Sequence, residues 1–154
     1  MFHSSRGYLW MDDNGCYWLN PAREAIKNYL IDIATELKML GFDEVVFEDF
    51  YFPKTQNIVF EGDKTATLES TAQTIVNACA TETFAVSFVS DGTWTAPEGR
   101  TRVYREDISD AIKLMELTKD LTMEDPEARL VLITNNLDTR FDVYGILRPI
   151  ELAH

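Results

Sequence analysis

The chain has 154 residues, 45% of them hydrophobic, which suits one globular domain with a real core but is short for a complete eight-stranded (β/α) barrel of roughly 250 residues. Twenty-six acidic against 14 basic residues give a net charge of −12, which repels phosphate backbones and anionic headgroups, so neither nucleic-acid nor membrane partners are expected. Two cysteines without a CxxC pair, and histidines only at positions 3 and 154, leave no zinc site and no Ser-His or Cys-His nucleophile; no metal or cofactor is expected.

Gly7 to Met11 is an apolar run ending in Asp12-Asp13-Asn14-Gly15, which reads as a strand and a turn. Asn20-Pro21 reads as a helix start, Asn20 as N-cap and Pro21 at the first helical position. Ile26, Leu30, Ile33, Leu37 and Leu40 then recur every three or four residues, one helix face, and Gly41 supplies the stop. Asp43 to Glu48 is the next strand; Val45-Val46-Phe47 does not alternate, so both of its faces should be covered. Asn57 to Lys64 reads as a loop or short excursion. Leu68, Ala72, Ile75, Val76 and Cys79 define a second helix, with Cys79 a buried thiol on its apolar face. Phe84 to Val89 is a strand ending in Ser90-Asp91-Gly92, followed by a long loop with Trp94, Pro97 and Gly99. Asp107 to about Leu121 is a third helix, Arg129 to Thr134 a fourth strand, and Phe141 to Leu147 a fifth.

Strand–helix alternation with apolar strands predicts an α/β fold with a parallel sheet of repeated β-α units, in one domain over residues 1–154. The C-terminal ends of parallel strands share a rim, and ligand sites of α/β proteins lie there. The predicted rim collects Asp12 and Asp13, Glu48 and Asp49, Asp91, and Asn135, Asn136 and Asp138, beside Trp10, Trp18, Phe50, Tyr51 and Trp94. Carboxylates supply the general acid and the nucleophile or base of glycoside transfer. Aromatic faces pack on pyranose rings. Asp49, Glu48 and Asp91 are therefore the catalytic candidates. Asp12, Trp18, Tyr51, Trp94 and Asn135 are the substrate-binding candidates, with Asp12 a further choice for the partner acid. A turn role competes for every one of these acids, because Asp and Asn favour turns. Phe50 and Phe52 are expected to plug the end of the sheet core. There is no G-x-G-x-x-G and no P-loop, and the Asp12-Asp13-Asn14-Gly15 turn lacks the glutamate of an EF-hand. A flavodoxin-like sheet binding a small ligand is a competing architecture, and strand order separates the two. No apolar run reaches transmembrane length. The first seven residues lack a signal-peptide layout, so the chain is either cytoplasmic or a piece of a longer secreted protein.

The segments Trp18-Leu19-Asn20-Pro21, Gly41-Phe42-Asp43-Glu44 and Phe47-Glu48-Asp49-Phe50-Tyr51-Phe52-Pro53 together resemble the glycoside-hydrolase-like TIM-barrel domains of bacteria. The matching span is Trp18 to Pro53. The family's strand-end acid is Asp where this chain has Glu48; a second Asp, present in some members, matches Asp49. The resemblance implies a carbohydrate ligand and a chain that holds about half of a larger barrel. The rest would come from a missing portion or a second copy. A non-catalytic sugar-binding or assembly module is the alternative.

Overall fold

The computed structural model describes residues 1–3, 8–106, 108, 110–120 and 123–149. In chain order the elements are β1 (Phe2–His3), α1 (Glu24–Met39), β2 (Glu44–Phe47), β3 (Ile58–Val59), α2 (Lys64–Cys79), β4 (Ala85–Val89), β5 (Val103–Arg105), α3 (Ala111–Asp120), α4 (Pro126–Arg129), β6 (Leu130–Ile133), a 3-10 turn (Thr139–Phe141) and β7 (Gly145–Leu147). β1 and β3 form a small antiparallel pair. The other five strands make one sheet, ordered β2-β4-β5-β6-β7, with every neighbouring pair parallel. The fold is thus α/β, built on a parallel sheet from β-α units.

The order follows the chain without reversal. A flavodoxin-like sheet, ordered 2-1-3-4-5, would reverse at its switch point. Register sets the two faces. Val45 lies opposite Val86, Phe47 opposite Phe88, Phe88 opposite Val103, Val103 opposite Leu130, and Leu132 opposite Ile146, so these side chains share one face. That face meets α1 and α2 through Leu30, Ala34, Leu68, Ala72, Ile75 and Val76, and α3 through Leu114 and Leu117. Both buried clusters draw on this face. The opposite face presents Val46, Val89, Val131 and Ile133 half-buried and Leu147 exposed.

A polar network stitches the open face. The Glu44 carboxylate accepts from Arg102 Nη1 at 2.9 Å, from the Tyr104 hydroxyl at 3.1 Å and from Ser87 Oγ. Ser87 Oγ in turn accepts from the Arg102 amide at 2.9 Å. β2, β4 and the start of β5 are thereby tied side chain to side chain.

Several elements depart from the sequence expectation. Of the predicted 7–11 strand, Gly7 lies outside the described residues and 8–11 are not part of the five-stranded sheet; Met11 bridges antiparallel to Tyr17, so the chain folds back at the Asp12–Gly15 turn instead of crossing over. Asn20 does not cap α1. Its Oδ1 accepts from the Ala22 amide at 3.0 Å in a local turn, and the helix begins one turn later at Glu24. Its end is as expected: the Gly41 amide bonds to Lys38 O and the Phe42 amide to Leu37 O, a Schellman pair, with Gly41 at φ +91°. β5 lies in what reads as loop, and the third helix begins at Ala111; Asp107 and Leu121, the predicted bounds, lie outside the described residues.

Candidate functional site

The site grows from the end of β2. After Phe47 the chain passes through Glu48 to Asp49, whose φ of +52° is left-handed. Successive strand side chains point to opposite faces. The left-handed step breaks that alternation, and Glu48 and Asp49 both line one cleft of about 310 Å³. Phe50 then drops into the core, its ring 4.8 Å from Phe88 and 5.5 Å from Trp94. Tyr51 stays half-buried at the cleft.

The opposite wall is the hairpin-like segment 11–18. Asp12 organises it: Oδ1 accepts from the Asn14 amide at 3.0 Å and the Cys16 amide at 2.8 Å, and Oδ2 accepts from the Trp18 indole N–H at 3.0 Å. Held by that bond, the Trp18 ring packs 5.1 Å from Tyr51. Tyr17, largely exposed, closes the mouth, and Ile26, Leu30, Phe47 and Leu68 form an apolar floor.

The electrostatics follow from these contacts. The Cys16 amide first, then the Trp18 indole, hold the Asp12 carboxyl below its ordinary value, so Asp12 is an anion and not a proton donor near neutrality. The Tyr51 phenol is pushed up, first by desolvation, then by the Asp49 carboxylate, with which it shares a hydrogen bond, and then by Asp91 and Asp12. It therefore stays protonated and can donate. Of the three carboxylates only Asp49 bonds to the phenol; Asp91 and Asp12 act on it through charge alone.

The predicted residues sort as follows. Asp12, Trp18, Glu48, Asp49 and Tyr51 come together in the cleft. Asp91 stands at the end of β4, next to it; it accepts from Thr93 Oγ1 at 2.6 Å and the Thr93 amide at 3.1 Å, and faces an adjoining hollow with Lys54 and Lys64. Trp94 is 7% exposed and belongs to the core beneath Phe50. Asn135 is exposed at the end of β6 and lines none of these hollows. Cys16 and Tyr17 line the cleft unanticipated. Their signal is the Asp-Asp-Asn-Gly turn between two aromatic segments, Tyr8–Met11 and Tyr17–Leu19, which is a hairpin pattern. Among the described residues no group of three His, Cys, Asp or Glu side chains is placed to hold a metal ion.

The model of a family described as "Putative glycosyl hydrolase domain" matches residues 1–90. The chain belongs to that glycosyl hydrolase domain family. No match was found among curated proteins or among solved structures. All five residues gathered in the cleft fall inside the span matched by the glycosyl hydrolase domain, whereas Asp91, Trp94 and Asn135 fall beyond it.

Proposed function

We propose that this glycosyl hydrolase-like domain binds carbohydrate in the cleft at the end of β2, with Asp49 and Glu48 as the acids presented to the sugar. The observation that carries this reading is one cleft lined by the carboxylates of Asp12, Glu48 and Asp49 beside the neighbouring rings of Trp18 and Tyr51. Trp18 and Tyr51 would hold the apolar face of a pyranose. The protonated Tyr51 phenol would orient Asp49, which serves as nucleophile or as an anchor for a sugar hydroxyl. Glu48, exposed and lining the cleft, would serve as the proton donor, because the Asp12 oxygens are taken up by the Asn14, Cys16 and Trp18 N–H groups. Asp91 would act from the neighbouring strand as the partner acid. In a catalytic pair, carboxyls about 5–5.5 Å apart retain the anomeric configuration and those about 6.5–9.5 Å apart invert it.

The sequential strand order and the placement of both buried clusters on one face support a bacterial-type (β/α)8 arc as the architecture, with the whole chain as one domain. In that reading the open face and the β2 and β7 edges meet the remaining strands of a barrel, supplied by the same protein or by a second copy. Trp94 and Asn135 then support the loops around the site rather than touch the sugar within it.

A second reading, binding without turnover, is favoured by the local duties of Asp12, both of whose oxygens accept from neighbouring donors, and of Asp91, whose Oδ1 accepts from the Thr93 amide and hydroxyl. Hydrolysis assays on aryl-glycosides and polysaccharides separate the two. Catalysis predicts turnover that Asp49→Asn and Glu48→Gln each reduce by at least about a hundredfold, the scale of a lost acid–base group. Glycan binding with no turnover in the wild type selects the binding module.

A further inference from the structure

The cleft does not stop at Asp12. Beyond the hairpin a second hollow of about 640 Å³ opens, lined by Tyr8, Trp10, Met11, Asp13, Lys54 and Asn57, and Asp12 lines both hollows. Neighbouring rings link them: Trp10, in the second hollow, lies 6.5 Å from Trp18, and Trp18, in the first, lies 5.1 Å from Tyr51. Each hollow falls within the roughly 300–1,000 Å³ of ligand-sized sites.

We propose that the two hollows are successive subsites of one groove, and that its ligand is an uncharged oligosaccharide that passes Asp12 along these rings. This rests on the carbohydrate reading of the first cleft and goes beyond it by fixing the ligand's length and charge. A monosaccharide can occupy one hollow only and leaves the Trp10 end uncovered. A chain of sugars repeats an apolar face along its length, which neighbouring rings match. Asp13 and the Asn57 amide supply partners for hydroxyls in the second hollow. Asp12, Asp13, Glu48 and Asp49 outnumber the cationic groups that line the two hollows, Lys54 and the Met1 ammonium, which leaves the groove negative and disfavours uronic or sulfated chains.

Titration calorimetry on the full chain tests this. The probes are di- to hexasaccharides of α-1,4-glucose, β-1,4-glucose and β-1,4-N-acetylglucosamine, with polygalacturonate fragments as the charged control. In the series that binds, affinity rises by about tenfold or more from disaccharide to hexasaccharide, and the charged control binds more weakly. Trp10→Ala collapses that ratio toward one; Trp10→Phe, which keeps a ring, restores most of it, with circular dichroism verifying that both variants fold. Affinity independent of chain length, or a ratio untouched by Trp10→Ala, overturns the two-subsite groove and leaves the first cleft's reading standing. Failure of every glycan to bind overturns both.

Discussion

Asp49 illustrates how much chemistry a single backbone angle carries. A left-handed conformation at a non-glycine residue costs roughly 1 kcal/mol, less for Asp than for most residues, and such strain is concentrated at functional sites. Asp49→Gly relieves it at the same position that presents the carboxylate. The account predicts that this variant is as stable as wild type or more stable by up to about 1 kcal/mol in urea unfolding, while glycan binding is lost. Clear destabilisation would mean that the carboxylate is a structural group. Asp12 yields a prediction with a definite sign. Its folded-state pKa lies below the ordinary 3.8, so its contribution to stability is complete above that value and fades as pH falls through the lower folded value. Asp12→Ala should therefore melt at a lower temperature than wild type at pH 7, and the gap should narrow below pH 4. A gap that stays constant down to pH 2.5 would contradict the assignment. At this scale the sequence could not say which aromatic was which. Tyr51 and Trp94 look alike as residues near a rim, yet one faces the cleft and the other lies under Phe50, because burial depends on the left-handed step at Asp49 and on long-range packing.

Elements were legible where a local pattern was strong. α1 and its Gly41 stop, α2, β2, β4 and β6 all follow from apolar spacing over windows long enough to average out exceptions. β5 has three residues, Val103-Tyr104-Arg105, after a stretch rich in Gly, Pro and Thr, and its identity comes from pairing with β4 and β6 rather than from its own sequence. The apolar run from Gly7 to Met11 before a turn fits a sheet strand and one arm of a hairpin equally, and only the Met11–Tyr17 bridge separates the two. The Glu44 network was invisible for the same reason as β5, since it needs Arg102 and Tyr104 at a register no local rule supplies. Glu44→Ala removes the acceptor for three side chains. With Arg102 about half exposed, screening reduces the ion pair's share, so the expected loss is about 1–3 kcal/mol in urea unfolding, and Glu44→Gln should lose less. Equal losses for both would show that charge is irrelevant to the network. Phe88→Ala, at the meeting point of Phe47, Phe50 and Trp94, should cost about 3–5 kcal/mol and loosen the site above it.

At the scale of the whole molecule, a sheet that winds in one direction and packs both its hydrophobic clusters on one face leaves its other face and two edges to be accounted for. Uncovered strand edges invite pairing. The barrel-arc reading predicts that the isolated chain self-associates in light scattering and that Leu147→Lys, on the exposed end of the open face, weakens that association; a strictly monomeric wild type at high concentration would contradict closure by a second copy. The family match over residues 1–90 covers the cleft but not β5 to β7, so the cleft is where family and geometry coincide. The most direct test is therefore a calorimetric glycan titration of the wild type against Trp18→Ala, with folding of both verified by circular dichroism. The account predicts saturable binding by a neutral glycan that Trp18→Ala weakens by at least about tenfold, or 1.4 kcal/mol. A folded wild type that binds no glycan, or a variant that binds as well as wild type, would contradict it.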